Sequence, residues 1–238
     1  MRVVLWDFDG TLAFREGMWA GCLAEVLDEH EPGHGRSAND FRPALRGGFP
    51  WHRADLPHPE LSDPDAWWAP VTALVARAYV QAGYDEARAG QLAHYARSRY
   101  ADPAVGWKLF DDTVPTLERL RGDGWRHVVL SNHVPELSAI VDGLGLAPLL
   151  DAIVNSAVTG YEKPHPEAFA HARHAAGDAE SIWMVGDNVA ADVEGAEAAG
   201  IPAILVRRDA PPGVRAAPTL AAAADLISRD TARRRSSR

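Results

Sequence analysis

The stretch VVLWDFDGT, residues 3–11, is the part of the sequence that decides the fold. Four apolar residues form a short strand-like run, and two carboxylates, Asp7 and Asp9, follow it two positions apart. Gly10 allows a sharp turn after the strand. Side chains alternate faces along a strand, so the two acids would share a face if the extension persists. Such a pair suits phosphate chemistry, although the stretch alone is also compatible with a strand that ends in an acidic turn.

Three later segments carry polar side chains in a matching arrangement. Ser131 and Asn132 follow the apolar run 128–130, Lys163 precedes a proline, and Asp187 follows the run 182–185, with Asp192 five residues further on. Open parallel α/β sheets bind ligands outside the carboxyl ends of their strands. The four chain-distant segments are therefore predicted to bring their polar groups to one edge of a sheet.

These four segments resemble the signature of the haloacid dehalogenase (HAD) superfamily. The matching motifs are DxDGT at residues 7–11, a strand-end Ser131, Lys163, and GDxxxxD at residues 186–192. The resemblance covers nearly the whole chain, to about Leu226. It implies a Mg²⁺-dependent phosphatase or phosphotransferase that works through an aspartyl-phosphate, and we favour the phosphatase, a hydrolase.

The resemblance also implies a role for each matching residue. Asp7 would be the nucleophile, and Asp9 the general acid for the leaving alcohol and then the base that activates water. Ser131, the amide of Asn132 and Lys163 would hold phosphate oxygens. Lys163 would also pair with the Asp7 carboxylate.

A magnesium site is implied next to these residues. Mg²⁺ prefers oxygen ligands, and Asp7, Asp187 and the backbone carbonyl of Asp9 would supply them. Asp192 would support the metal shell or orient Lys163 rather than bind the metal directly.

Strands that alternate with helices predict βαβ units, and hence an α/β fold with a Rossmann-like, doubly wound parallel sheet. The predicted strands are Arg2–Trp6, His127–Leu130, Ala152–Asn155, Ile182–Val185 and Ala203–Val206. The predicted helices between them include Thr113–Arg121, Pro135–Gly143, Pro166–Ala176 and Val189–Ala199.

About a hundred residues separate the first strand from the next βα unit, which is too long for a structureless loop. Apolar stripes at helical spacing within them predict an inserted all-helical domain, which resembles the C1 cap of the family. We therefore predict a core domain over residues 1–13 and 107–228, a helical cap over residues 14–106, and a disordered basic tail over residues 229–238.

Composition limits the possible partners and compartments. The chain has 238 residues and a formal net charge of −9, which argues against nucleic acid or a membrane surface as the main partner. Cys22 is the single cysteine, so no intrachain disulfide can form, and a cytoplasmic location fits. We expect no signal peptide and no membrane-spanning segment. The oligomeric state cannot be read from the sequence.

Several alternative functions share these motifs. A phosphomutase needs the same core, and it differs from a phosphatase in what the cap does to water at the active site. A 2-haloacid dehalogenase is disfavoured, because dehalogenases that resemble this scaffold usually lack the acid at Asp9. A non-catalytic binding module would show degraded motifs, and none is degraded here. A dinucleotide-binding enzyme lacks its G-x-G-x-x-G motif after the first strand.

The sequence says least about substrate choice. Arg46, Trp51, His52 and Arg53 lie in an irregular cap loop and could face the active site, but we favour ordinary packing for them. Trp19 could contact a leaving group or could pack between cap and core. A small phosphorylated metabolite is the substrate class predicted.

Overall fold

A central parallel sheet organises the protein, for which a computed structural model describes residues 1–236, with side chains through residue 231. Within the described residues the strands are β1 (Arg2–Trp6), β2 (Ala13–Arg15), β3 (Trp107–Leu109), β4 (Trp125–Ser131), β5 (Ala152–Asn155), β6 (Ser181–Gly186), β7 (Ala203–Val206) and β8 (Ala216–Ala217). The α-helices are α1 (Met18–His30), α2 (Ala38–Phe41), α3 (Pro64–Gln81), α4 (Glu86–Ala101), α5 (Thr113–Gly122), α6 (Leu137–Gly143), α7 (Ser156–Thr159), α8 (Pro166–Ala176), α9 (Gly195–Ala198) and α10 (Leu220–Ser236).

The strand order is β5-β4-β1-β6-β7-β8, and every neighbouring pair is parallel. Strand β1 lies in the middle of the sheet, where Arg2 pairs with Trp125 on one side and with Ser181 on the other. The chain continues from β1 to one side and later crosses to the other. The carboxyl end of β1 is therefore a topological switch point, where doubly wound sheets bind ligands. The predicted Rossmann-like fold is confirmed.

Both faces of the sheet are buried under helices. Val4 and Trp6 belong to one apolar cluster, which includes residues of α5, α6 and α10, whereas Val3 and Leu5 belong to a second cluster with residues of α8 and α9. All four side chains are fully buried. Because each such side chain stabilises the fold by about 1.5–3 kcal/mol, the alternation fixes the register of β1 and the position of Asp7 beyond it.

A helical insertion, residues 16–106, leaves the core through β2 and returns through β3. These two strands form a separate antiparallel ribbon in which Ala13 pairs with Leu109 and Arg15 with Trp107. Between them the described elements are helical, with α1, α3 and α4 as the long ones. The exact division into core and cap domains stays a prediction.

Most predicted elements agree with the structure, and the differences have local causes. Strand β4 runs from Trp125 to Ser131, longer than predicted, because its added residues are also largely buried. The helix predicted over residues 189–199 is a π-helical turn, Val189–Glu194, followed by the short α9. Such turns occur often at functional sites. Strands β2, β3 and β8 have two or three residues each, too few for a period to show.

The predicted tail also differs from expectation. Helix α10 extends through Ser236, so residues 229–236 are helical rather than disordered, and residues 237–238 lie outside the described residues. Among the described helices, none combines the length and the apolar character needed to cross a membrane.

Candidate active site

Three of the predicted site residues lie at the ends of neighbouring strands. Asp7 directly follows β1, Ser131 is the last residue of β4, and Asp187 directly follows β6. The backbone N–H of Asp7 donates to the carbonyl of Val185 at 2.9 Å, which continues the pairing of β1 with β6 by one residue. The predicted convergence of these segments at one sheet edge is observed.

The carboxylate of Asp7 is held by two donors. Its Oδ1 atom accepts hydrogen bonds from Ser131 Oγ at 3.1 Å and from Lys163 Nζ at 2.7 Å. Asp7 is only 7% exposed. A carboxylate held by two donors keeps one orientation toward the cavity beside it.

Lys163 joins two carboxylates in a buried network. Its Nζ atom also donates to Asp192 Oδ1 at 2.5 Å. Burial alone would lower the pKa of Lys163, but the charges of Asp192 and Asp7 outweigh it, so the pKa lies above its ordinary value. Burial raises the pKa of the Asp192 carboxyl, and the Lys163 charge opposes this shift. Because the ammonium has two anionic partners, we expect it to remain charged at neutral pH.

Asn132 holds the backbone of Lys163 in place. Its side-chain Nδ2 donates to the carbonyl of Lys163 at 2.9 Å, and its Oδ1 accepts from the Lys163 N–H at 2.7 Å. Both the amide nitrogen and the amide oxygen of the Asn132 side chain are thus engaged with the Lys163 backbone. The phosphate-binding role predicted from the sequence falls on the backbone amide of Asn132 and stays a prediction.

Three carboxylates form a cluster that fits a divalent cation. One oxygen each of Asp7, Asp187 and Asp192 lies within 4.8 Å of the others. Both oxygens of Asp192 are already engaged, Oδ1 with Lys163 and Oδ2 with the N–H of Asn188 at 3.0 Å. Asp7 and Asp187 are therefore the better ligands, and Asp192 has the contacts of a supporting residue.

The backbone also makes room for this cluster. Gly10 has a φ of +75°, and a Cβ atom at this position would lie 2.3 Å from Oδ2 of Asp187. Burial raises the pKa of Asp187, and the neighbouring charge of Asp7 raises it further. Crowded carboxylates with hard oxygen donors are the set that Mg²⁺ prefers, so the residues present fit the implied metal.

Asp9 points to a different environment. Its Oδ1 atom is buried and, among the described residues, has no hydrogen-bond partner. The nearest basic atom is Nε2 of His133, 3.6 Å away, which is also buried and unpartnered in the described part of the chain. Among the described contacts, the Asp9 carboxylate is therefore separate from the Lys163 network.

A cavity of about 380 Å³ opens beside these residues. The core contributes Asp7, Asp9, Asn132, Lys163, Pro164, Asp187, Asn188, Ala190, Ala191 and Asp192 to its lining. The helical insertion contributes Met18, Trp19, Trp51, Ala54 and Tyr100. Trp19 and Trp51 thus face the site in addition to packing within the insertion, whereas Arg46 and His52 line a neighbouring cavity.

Sequence reasoning missed three residues near the site. The guanidinium of Arg208 contacts Asp187 Oδ2 at 3.0 Å through Nε and at 2.6 Å through a terminal nitrogen. His133 faces Asp9, and Tyr100 lines the cavity. His133 follows Ser131-Asn132 immediately, so its adjacency to the motif was the one available signal. Arg208 and Tyr100 carry no sequence signal that points to the site.

The fold and the site define the class of protein, a doubly wound α/β protein with an acidic centre at its topological switch point. A family model described as a haloacid dehalogenase-like hydrolase matches residues 1–200. The chain belongs to this family and is a hydrolase by that membership. The expected family resemblance is confirmed.

Individual relatives cover part of the chain. Human haloacid dehalogenase-like hydrolase domain-containing protein 3 is 32% identical over 142 residues, which are 59% of this chain and 55% of that protein. A phosphoserine phosphatase from Thermus thermophilus is 36% identical over 154 residues, 63% of this chain and 60% of that protein. The chain thus spans a little over half the length of these curated relatives.

A solved structure extends the likeness of fold to nearly the whole chain. The crystal structure of a 2-haloacid dehalogenase from Pseudomonas syringae has a TM-score of 0.63 and 24% identity, and the match covers 96% of this chain and 99% of that one. At this identity the likeness shows the fold and does not distinguish between phosphate and halide chemistry.

Proposed function

We propose that the protein is a Mg²⁺-dependent phosphatase that hydrolyses a small phosphorylated metabolite through an aspartyl-phosphate at Asp7. The observation that carries this proposal is the contrast between the two acids of the first motif. Asp7 is fixed by Ser131 and Lys163, while the buried Oδ1 of Asp9 has no hydrogen-bond partner in the described structure. This contrast supports an attacking role for Asp7 and a proton-exchanging role for Asp9.

The first step forms a bond between an Asp7 carboxylate oxygen and phosphorus and breaks the bond between phosphorus and the ester oxygen. Asp9 gives its proton to the departing alkoxide, which leaves as a neutral alcohol. Ser131 Oγ, the backbone N–H of Asn132 and Lys163 Nζ donate to the phosphoryl oxygens. Asp192, which contacts Lys163 at 2.5 Å, keeps that ammonium oriented.

The second step regenerates the enzyme. A water molecule attacks the phosphorus of the aspartyl-phosphate, Asp9 accepts its proton, and the bond between phosphorus and Asp7 breaks to release inorganic phosphate. Because Asp9 regains the proton that it gave to the alcohol, the cycle balances.

Asp7, Asp187 and the backbone carbonyl of Asp9 would hold the magnesium ion. When bound, it supplies positive charge that offsets the repulsion between the carboxylates and the phosphate dianion. The helical insertion would act as the cap that covers the cavity, and the reaction would take place in the cytoplasm, where the buried lone Cys22 stays reduced.

The test is phosphate release from p-nitrophenyl phosphate with Mg²⁺, compared between the wild-type protein and Asp7→Asn. Asparagine keeps the size of the side chain and an oxygen that accepts from Lys163, so the fold should survive while activity falls by at least about 10⁴-fold. Near-wild-type turnover by Asp7→Asn would remove the nucleophile assignment. Chloride release from 2-chloropropionate, or an isomerised sugar phosphate without net phosphate release, would instead identify a dehalogenase or a phosphomutase.

A further inference from the structure

The two sides of the active-site cavity differ in charge. All the charged side chains in its lining belong to the core, four carboxylates and one ammonium: Asp7, Asp9, Asp187, Asp192 and Lys163. The insertion contributes only neutral side chains among the residues described, three of them aromatic: Met18, Trp19, Trp51, Ala54 and Tyr100. The part of a substrate that lies beyond the phosphate therefore meets an uncharged, mainly aromatic wall.

This wall is rigid because its rings pack against one another. Trp19 stacks on Tyr100 with ring centroids 3.8 Å apart and planes within 9°. Trp51 stacks on Phe49 at 4.6 Å and 8°, and Phe49 also contacts Trp19 at 4.9 Å. Such ring pairs stabilise their own arrangement in addition to burying apolar area, so the wall is largely formed before a substrate arrives.

The wall is also anchored to the core. Trp68 packs edge-on against Trp19 at 5.8 Å, and its Nε1 donates to both carboxylate oxygens of Glu136 at 3.0 Å. Glu136 lies in the core, directly before α6. Burial and the nearby charge of Asp9 raise the pKa of the Tyr100 hydroxyl well above its usual range, so it presents a neutral group.

No positive charge among the described lining residues is available for an anionic leaving group. Lys163 is already paired with Asp7 and Asp192, at 2.7 and 2.5 Å. Arg42, Arg46 and His52 line the neighbouring cavity, which shares Trp19 and Trp51 with the active site. A carboxylate on the leaving group would therefore lose water and lie near the core carboxylates with no cation of the lining free to pair with it, and Arg208, outside the lining, is already paired with Asp187.

We propose that the substrate is a phosphate monoester of an uncharged aromatic or apolar alcohol, and that esters whose alcohol carries a carboxylate are rejected. This inference rests on the proposed phosphatase function and narrows it. It sets the chain apart from an enzyme for phosphoserine, whose alcohol bears a carboxylate, although a relative that shares part of the sequence has that name.

The test compares kcat/KM of the wild-type protein with Mg²⁺ for benzyl phosphate and 4-carboxybenzyl phosphate. The methylene group insulates the ester oxygen from the ring substituent, so the two esters have similar intrinsic reactivity. We expect benzyl phosphate to be preferred by at least about 30-fold, mostly through KM. O-Phosphoserine and 2-phosphoglycolate should be as poor as the carboxylated ester.

A pair of variants checks the origin of this preference. Trp51→Arg places a cation on the wall and should reduce the preference for benzyl phosphate by at least about tenfold, whereas Trp51→Gln removes the ring without adding charge and should weaken benzyl phosphate while the carboxylated ester stays the poorer substrate. Circular dichroism and thermal unfolding would show that both variants fold, and the wild-type comparison does not depend on either.

Two results would overturn the inference in distinguishable ways. Equal or faster hydrolysis of 4-carboxybenzyl phosphate, phosphoserine or phosphoglycolate would refute the neutral-alcohol selectivity and leave the phosphatase standing. If the protein releases phosphate from none of these esters and not from p-nitrophenyl phosphate either, both the phosphatase proposal and the inference are refuted.

Discussion

Lys163 and Asp7 form the central ion pair of the site, with Nζ and Oδ1 2.7 Å apart and both side chains almost entirely buried. The same ammonium contacts Asp192, so one cation serves two carboxylates. Removing one partner from a buried ion pair is costly because the remaining charges lose their compensation. The ammonium therefore has a structural role in addition to its proposed contact with phosphate.

We predict that Lys163→Gln lowers the free energy of unfolding by about 3 kcal/mol in EDTA, because two buried carboxylates lose their counter-charge. Phosphatase activity should fall by at least about 10²-fold. Urea unfolding and phosphate release measure the two effects. Lys108→Gln is the matched control, since Lys108 is the only other lysine and is exposed, so it should change neither quantity noticeably. An unchanged unfolding curve for Lys163→Gln would contradict the role of the ion pair.

We predict that Asp9→Asn separates the two steps of the reaction. p-Nitrophenolate leaves without needing a proton, so the first step should continue, whereas water attack should slow because its base is missing. Stopped-flow absorbance should show a burst of about one p-nitrophenolate per active site, followed by slow turnover. Linear progress without a burst, at the wild-type rate, would exclude Asp9 as the base.

We predict that activity requires a divalent cation. Without the cation, Asp7 and Asp187 would face the phosphate dianion with only Lys163, the exposed Arg208 and the neutral donors to offset their charge. Dialysis against EDTA should abolish phosphate release, and added Mg²⁺ should restore it. Undiminished turnover in excess EDTA would contradict the assignment of the carboxylate cluster.

We predict that Arg208→Gln raises the affinity for Mg²⁺ by about three- to tenfold. The Arg208 guanidinium contacts Asp187 and so competes with a cation for that carboxylate, but it is 62% exposed, so solvent screens the pair and limits the effect. Isothermal titration calorimetry measures the affinity without relying on turnover. Arg119→Gln, which breaks an exposed arginine–carboxylate pair with Asp225 in α10, serves as the control for the loss of an arginine. A lower affinity in Arg208→Gln would show that the arginine helps to assemble the metal site.

We predict that a contact between the insertion and the core weakens as pH rises. His58 Nε2 lies 3.1 Å from Oε1 of the fully buried Glu162, and this hydrogen bond raises the pKa of His58 above its ordinary value of about 6.5. A raised folded-state pKa means that the stabilisation is fully present below about pH 6.5 and is lost as pH rises through the folded value. The backbone reinforces the contact, since His58 N–H donates to the Gly160 carbonyl at 2.8 Å.

Thermal unfolding between pH 5.5 and 9 tests this contact. The difference in melting temperature between wild type and His58→Gln should be largest at the acidic end and shrink toward the alkaline end. His174→Gln, at an exposed position in α8, controls for the loss of a histidine as such. A melting-temperature difference that grows with pH would have the opposite sign from the one expected, and it would refute the stabilising role of protonated His58.

The sequence was most informative for site residues that lie at the ends of apolar strands. Asp7, Ser131 and Asp187 follow or end apolar strands, and parallel strands bring their carboxyl ends to one edge, so their proximity could be predicted from pattern alone. The strands β5 and β7 agree with their predicted bounds because both are short runs of mainly apolar residues, fully buried in β7 and half-buried to buried in β5.

Contacts that depend on packing between distant side chains were beyond sequence reasoning. His133 reaches Asp9 because Phe8, Tyr100 and Trp107 pack around its ring, and no periodicity reveals such an arrangement. The positions of Trp19 and Trp51 depend on how the insertion folds back over the core. These two rings both pack against other aromatic side chains and line the cavity, so the two alternatives considered for them do not exclude each other.

The antiparallel ribbon of β2 and β3 has a consequence for how the helical insertion can be exchanged. Because Ala13 and Leu109 are paired neighbours, the points where the insertion departs and rejoins lie side by side. We expect that inserts of other lengths can replace the helical insertion between these two positions without moving the strands that carry the candidate site residues, provided that the ends of the insert meet at the same spacing. The helical insertion is thus an exchangeable module. Chimeras joined at β2 and β3 would change the insertion's side of the cavity, and with it the substrate selectivity, while the residues of the core stay the same.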